Sequence, residues 1–415
     1  MKDFQQILEN SKLTEERIKD GLLHPLLQKE LKPREVFNEI KETTSAYFQN
    51  GSAVRMVGLA GLRGTGKTTL LWQIADFIYK NYTTNIYFFH LAYLQKYDIG
   101  IREIQDGIEK YLADGKLWAY KQKIVLLFDE IHEDPNWAKD LKILYDMFPI
   151  AFGVATGSSA LLLQSTADLV TRMHIQHILP LSFREYIGFT HSNTIKIADL
   201  RNDLEKIFLH SDNAENLFND LQSIKTNLDN FLDKIDNIEN RIYDYIVYHN
   251  IIRFLLIESK FQITDQIKDL VRRVIYEDIP KLSNENLIPR NADKILSRLA
   301  ASDEINIQSL SQSIGISQDK INQNLDILVK AELLNVLYPY GGIDSKINKA
   351  QKYFFMSPSV RKAILTSFVN TDTENIYAKM LEDTIILYFN RIFRQTEIIS
   401  FSSVKGNKNP DFIIE

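Results

Sequence analysis

From residue 51 to about residue 190 of the 415-residue chain, short runs of apolar residues alternate with longer stretches of helical period. The runs are Ala53–Ala60, Asn85–Leu91, Lys123–Phe128 and Ile150–Ala155. A run that is apolar almost throughout, rather than at every second position, is expected of a strand covered on both faces of a parallel sheet. Helical segments fall between the runs, most clearly over Thr68–Asn81. That order predicts a doubly wound α/β domain over 51–190.

The flanking pattern is different. Residues 1–50 read as amphipathic helix, with a break at His24–Pro25 and a second start near Pro33. Residues 195–260 contain neither Gly nor Pro. Within them Leu217, Leu221, Ile224, Leu228, Phe231, Ile235, Ile238 and Ile242 recur at spacings of three and four. This predicts one long amphipathic helix or a helical hairpin, used as a packed subdomain or as a coiled-coil arm. Over 293–340 the pattern predicts three helices and then a strand or hairpin. Gly315 and Ser317 mark a turn between Ile307–Ile314 and Gln318–Ala331, with Ser317 as N-cap. Leu333–Leu337 then leads into Pro339-Tyr-Gly-Gly, which suits a helix–turn–helix with a wing. The stretch 374–415 reads as a helix followed by short strands. The expected organisation is therefore an N-terminal helical segment (1–50), the α/β domain (51–190), a helical subdomain (191–290), a winged helix (291–365) and a partial α/β C-terminal segment (366–415).

Composition narrows the chemistry. The chain has no cysteine, which excludes disulfides, thiolate metal sites and a cysteine nucleophile and suits a reducing compartment. No apolar run approaches the roughly 18 residues that a membrane span needs, and the polar start MKDFQQILENSKLTEER does not resemble a signal peptide. A cytoplasmic protein without a membrane partner is expected. The net charge of −5 gives no general support for gripping phosphate backbones.

The strongest chemical signal is Gly61-Leu62-Arg63-Gly64-Thr65-Gly66-Lys67-Thr68, a full match to G-x-x-x-x-G-K-[ST]. It stands between an apolar strand and the helix former Thr69-Leu-Leu-Trp-Gln-Ile-Ala, as phosphate binding requires. The glycines let backbone N–H groups close around a β-phosphate, and the helix aims its positive end at the same charge. Lys67 supplies a point charge between the β- and γ-phosphates, and the Thr68 hydroxyl is a candidate ligand of Mg²⁺. ATP and Mg²⁺ are the implied cofactors. The second half of such a site is Lys123-Ile-Val-Leu-Leu-Phe-Asp-Glu, a buried strand that ends in two carboxylates. Asp129 is the candidate metal holder and Glu130 the candidate base for water. His132 reads as a surface or packing residue. Phe152-Gly-Val-Ala-Thr-Gly-Ser-Ser ends a further strand, so Thr156, Ser158 or Ser159 could reach the γ-phosphate, or could simply cap a turn. Arg63 could face solvent. Arg172 and Arg184 could complement γ-phosphate charge in cis or across a subunit interface, or could form structural ion pairs.

On these residues the chain resembles prokaryotic AAA-type ATPases whose nucleotide domain is joined to a winged helix and a restriction-endonuclease-like C-terminal domain. The matching stretches are Gly-Leu-Arg-Gly-Thr-Gly-Lys-Thr-Thr-Leu-Leu, Leu-Phe-Asp-Glu-Ile-His-Glu-Asp-Pro-Asn-Trp, Ala-Thr-Gly-Ser-Ser-Ala and Leu-Pro-Leu-Ser-Phe-Arg-Glu-Tyr at 179–186. Weaker matches are Ile275-Tyr-Glu-Asp-Ile and Leu381-Glu-Asp. The resemblance implies an AAA-like P-loop core, Ser158 or Ser159 as a sensor of the γ-phosphate, and Arg172 as an arginine finger in a homo-oligomer. It also raises a nuclease set, of which Glu382 and Asp411 look like the first two members. No Lys follows Asp411, so cleavage of DNA is not predicted. Tyr248-His-Asn-Ile stands where a Gly-Gly-Phe-Pro stretch often occurs in this family.

In the winged-helix region Lys294, Arg298, Lys320 and Lys330 are outnumbered by Asp293, Asp303, Glu304, Asp319, Asp326 and Glu332. Phosphate contact needs a basic surplus, so a structural or protein-contacting use is favoured there over DNA contact. The leading expectation is a Mg²⁺-dependent ATPase that couples nucleotide state to interdomain or partner rearrangement. The rivals are a slow nucleotide-gated switch and a DNA-targeted ATPase of genome defence or mobile elements.

Overall fold

A computed structural model describes residues 4–25, 27–52, 54–158, 171–190, 201–281, 288–302, 307–342, 351–366, 373–393, 401–403 and 412–414. The chain divides into two compact units, 1–178 and 179–415.

The first unit is built on five strands: β1 (Met56–Gly61), β2 (Ile86–His90), β3 (Ile124–Asp129), β4 (Ala151–Ser158) and β5 (Met173–His177). They pair in parallel in the order β2-β3-β4-β1-β5. The four apolar runs supply β1 to β4, within one to three residues at each end. β3 is buried along its whole length, and its residues alternate between two cores. Ile124, Leu126 and Phe128 pack on one face with Phe89, Leu141 and Leu144. Val125 and Leu127 pack on the other with Leu59, Leu70 and Ile74. Two buried faces, each read by every second residue, explain why the runs show no polar alternation. This is the doubly wound α/β architecture.

Three helices precede the sheet: α1 (Phe4–Ser11), α2 (Glu15–Leu22) and α3 (Phe37–Asn50). The single predicted break at His24–Pro25 is therefore joined by an earlier one, at 12–14. There the Thr14 hydroxyl accepts the Arg17 N–H and starts α2. The residues between α1 and α2 dock on β2, where Leu13 N–H donates to the Ile86 carbonyl at 2.8 Å and Lys12 bridges Tyr87. This covers an edge strand that would otherwise present free backbone groups.

In the second unit, the residues 195–260 do not form one long helix. The described elements are Arg201–His210, Ala214–Leu232 and Ile238–Asp244, with Asn237 in the left-handed region at φ 54°. Of the predicted stripe, Ile235 is buried whereas Leu228 is 38% exposed, so the face is packed only in part. The last helix runs into a wide π-helical turn, Tyr245–His249. Further on come Lys260–Arg273, then Ile288–Ala301, Ile307–Ile314 and Gln318–Lys330, then the antiparallel pair β6 (Leu334–Leu337) and β7 (Lys352–Phe355). Ser317 caps its helix by accepting the Lys320 N–H, as expected. The helices Pro358–Leu365 and Thr373–Phe393 and a last antiparallel pair, β8 (Phe401–Ser403) with β9 (Phe412–Ile414), follow. Arg361 and Asp383, both fully buried, join the last two helices through a bidentate pair at 2.6 and 2.8 Å. Arg361 also donates to the Leu299 and Ala300 carbonyls, and the Phe355 N–H donates to Asp383.

Leu-Pro-Leu-Ser-Phe-Arg-Glu-Tyr has a structural role in this unit. Ser182 and Glu185 form a reciprocal cap, each accepting the other's backbone N–H, at 2.9 and 3.0 Å. Leu181 exchanges hydrogen bonds with the π-turn region, through Asn250 and the Tyr245 hydroxyl. The Phe183 N–H donates to the Tyr388 hydroxyl at 2.6 Å.

Candidate active site

The glycine-rich loop emerges at the carboxyl end of β1, and helix α4 (Lys67–Asn81) starts directly from it. Gly64 and Gly66 take φ 82° and 93°, values that side chains resist. Gly61 is needed for close approach, since a Cβ there would lie 2.5 Å from the Ile178 carbonyl oxygen. Leu62 and Thr65 are buried, and the Thr65 hydroxyl donates to the Leu62 carbonyl at 2.8 Å. Lys67 Nζ donates to the carbonyls of Gly61 and Leu62 at 2.6 and 3.1 Å. Thr69 follows in the first turn of α4. From outside the loop, the buried Arg34 donates through Nη1 to the Thr65 carbonyl at 2.9 Å.

The sheet order places β4 between β1 and β3, and this brings the second half of the site together. Asp129 ends β3 and is buried at 2% exposure. Thr68 Oγ1 donates toward its carboxylate at 3.0 Å. Thr156, on β4, donates to Asp129 Oδ1 at 2.6 Å and accepts the Glu130 N–H at 2.9 Å. Glu130 sits in the left-handed region at φ 53°, half-buried at the carboxyl end of the sheet. Burial raises its pKa, with the Asp129 charge adding to the effect and Arg63 and His90 opposing it. Arg63 therefore acts electrostatically on Glu130 rather than only facing solvent.

Residues 53–187 match the family model of an AAA domain. An uncharacterized protein of Methanocaldococcus jannaschii is 30% identical over 395 residues, 92% of this chain and 77% of that one. The chain belongs to a family of P-loop ATPases with an AAA domain. Residues 252–372 match a second model, of a domain of unknown function. Among solved structures, similarity reaches the Aeropyrum pernix ORC1 protein in complex with DNA, at 11% identity and TM-score 0.32 over 83% of this chain and 95% of that one. AMPPCP-bound DnaA from Aquifex aeolicus is similar at 14% identity and TM-score 0.28, over 72% and 90%.

The strand register places Arg172 away from the loop within this domain. Arg172 precedes β5, whose first residue pairs with Met56 at the amino end of β1. The loop leaves the carboxyl end, about 16 Å away at strand pitch. Arg172 is held there by Asp146, at 3.0 Å through Nε and 3.4 Å through Nη2. That places it at the end of the sheet opposite the glycine-rich loop. Ser158 is placed by its backbone beside Gly61, its pairing partner across the sheet. Ser159 and Asp411 lie outside the described residues. Arg184 and Glu382 belong to the second unit, where Glu382 is half-buried beside Asp383. His132 is buried against β4 near Gly157, as a packing residue would be.

Two residues that the sequence reading did not single out for the loop and its carboxylates are Arg34 and, as the organiser of both acids, Thr156. Thr156 was a candidate for the γ-phosphate as a hydroxyl at the end of an apolar run, and the structure turns that hydroxyl to the two acids. No helix among the described residues is long and apolar enough to cross a membrane.

Proposed function

We propose that the chain binds ATP with Mg²⁺ on the Gly61–Thr68 loop and hydrolyses it to ADP and phosphate, with Glu130 orienting the attacking water. The observation that carries this reading is the line Thr68–Asp129–Thr156–Glu130, assembled from α4, β3 and β4. A hydroxyl and a carboxylate at 3.0 Å are the oxygen donors a small divalent cation takes from protein, leaving its other positions to phosphate and water. Among the described residues no group of three or more acids or histidines forms a metal cluster, which suits a cation held largely by its nucleotide. Mg²⁺ would supply charge neutralisation at the β- and γ-phosphates. Lys67 would exchange its loop carbonyls for phosphate oxygens, and the loop N–H groups would bind the β-phosphate. Glu130 is more basic than an ordinary carboxylate, which strengthens its hold on a water proton.

The same reading makes nucleotide state a signal to the rest of the chain. Arg34 ties the segment before α3 to the loop backbone, so a change in the loop is felt there. Three helices followed by β6 and β7 support a winged-helix reading of 291–365, and its acidic surplus favours protein over DNA as its contact. Arg172 could meet a phosphate only in a neighbouring copy of the chain.

The test is phosphate release under multiple turnover. Turnover should require Mg²⁺ and be lost in Lys67→Ala and in Glu130→Gln, with Glu130→Gln still binding ATP. A single stoichiometric burst with retained ADP would instead make the chain a slow switch. Stimulation by duplex DNA at low salt would overturn the preference for a protein contact, and light scattering in ATP and ADP reads nucleotide-dependent assembly.

A further inference from the structure

The N-terminal helices line an open cleft of about 510 Å³ against the carboxyl end of β2 and the short helix Leu91–Leu94. That size is in the range of small-molecule sites. Its walls combine three kinds of group. Leu94 and Ile99 are buried and apolar. Tyr93 and Tyr97 stand edge to face at 5.5 Å and 67°, about half exposed, with their hydroxyls 3.4 Å apart. Arg17 and His90 are the basic side chains of the lining, and among the described lining residues there is no carboxylate.

Arg17 is half-buried, and one of its N–H groups donates to the Asn10 carbonyl. Burial lowers its pKa. A desolvated guanidinium with five donors in a planar fork is made for a carboxylate or phosphate. His90 accepts the Tyr93 N–H at Nδ1, at 3.3 Å, so the bond that orients the ring uses Nδ1 and not Nε2. Flat, amphipathic tyrosine faces at the mouth suit a ring.

We propose that this cleft binds a small aromatic anion, a ring bearing one carboxylate or phosphate, with Arg17 holding the charge and the Tyr93–Tyr97 pair covering the ring. It shares no residue with the glycine-rich loop, yet His90 is the sheet partner of Asp129 and acts electrostatically on Glu130. Binding itself does not depend on the ATPase reading. Any effect of an occupant on turnover does rest on that reading.

The experiment is calorimetric titration of the full chain with phenyl phosphate, benzoate, inorganic phosphate and benzyl alcohol. Phenyl phosphate or benzoate should saturate with a dissociation constant of about 1 mM or tighter, and the tighter of the two identifies the anion. Inorganic phosphate and benzyl alcohol, each carrying half of the recognised chemistry, should bind about tenfold more weakly or not at all. Arg17→Gln and Tyr97→Ala should each weaken the aromatic anion by about tenfold, and Lys67→Ala should leave it unchanged. Absence of saturation by either aromatic anion, or loss in Lys67→Ala, overturns the proposal. If Arg17→Gln does not fold, as judged by circular dichroism, Tyr97→Ala decides, and unchanged affinity there also overturns it. ATP binding, titrated separately, reports on the glycine-rich loop alone.

Discussion

Thr156→Val is the sharpest probe of the site, because it keeps the shape of the side chain and removes one hydroxyl. Thr156 is 1% exposed, so water cannot replace what is lost. Two hydrogen bonds go. The 2.6 Å bond to Asp129 is charge-assisted, worth about 1.5–3 kcal/mol, and the bond from the Glu130 N–H leaves a half-buried donor behind, at about 1–3 kcal/mol. The two share one oxygen, so their losses are not additive, and about 3 kcal/mol of folding stability is the expected cost. Catalysis should suffer separately. Asp129 loses one of the two hydroxyls that donate to it, and Glu130 loses the side chain that accepts its backbone N–H. Removal of an orienting partner of this kind costs about 10- to 100-fold in activity. Phosphate release at saturating ATP reads the second effect, and urea unfolding reads the first. Thr156→Ser, which retains the hydroxyl, should recover most of both. A Thr156→Val protein that hydrolyses ATP within about twofold of the parent would refute the assignment of Asp129 and Glu130 as one unit organised by β4.

Arg34→Ala should weaken ATP binding by about tenfold and lower stability by about 2 kcal/mol, since the buried Thr65 carbonyl loses a charged donor; fluorescent-nucleotide titration and thermal melting measure the two. Asp383→Ala strands the fully buried Arg361 and should cost about 3–5 kcal/mol, whereas the double variant Arg361→Met/Asp383→Ala should recover much of that loss in the same denaturant assay. Lys362, with its Nζ 3.6 Å from the Tyr248 ring centroid, is pushed down to about 8 by burial first and by Lys260 second. Because its folded value lies below the unfolded one of 10.5, the unfolded chain binds the extra proton, and stability should rise with pH from about 8 toward 10.5. Lys362→Met should flatten that rise and add about 1 kcal/mol at pH 7, with the ring's attraction for the ammonium offsetting part of the gain; melts across that pH range test it.

Much of the AAA core was legible in the sequence for a local reason. Strands buried on both faces leave continuous apolar runs, and a phosphate loop uses eight consecutive residues, so neither depends on knowing what lies across the sheet. The helical region was less legible. An apolar stripe at three- and four-residue spacing cannot reveal that one helix stops at Leu232 and that Asn237, in the left-handed region, precedes the start of the next. Leu-Pro-Leu-Ser-Phe-Arg-Glu-Tyr carries its own cap signal, Ser182 three residues before Glu185, and the structure uses it as one. Arg172 shows what a motif table misses. A residue that precedes a parallel strand stands at the amino end of the sheet, opposite the end where phosphates bind.

The amino-acid sequence alone determined the strand runs, the loop that cradles a phosphate and the two carboxylates that end β3. Each of those is a property of neighbours along the chain. The tertiary structure alone decided that β4 lies between β1 and β3, and so that Thr156 rather than a later serine grips both acids. It alone brought Arg34 to a loop 31 residues away and set Arg172 at the far end of the sheet. Strand order and helix docking are settled by which apolar faces bury one another, a competition among distant segments that no single stretch of sequence records.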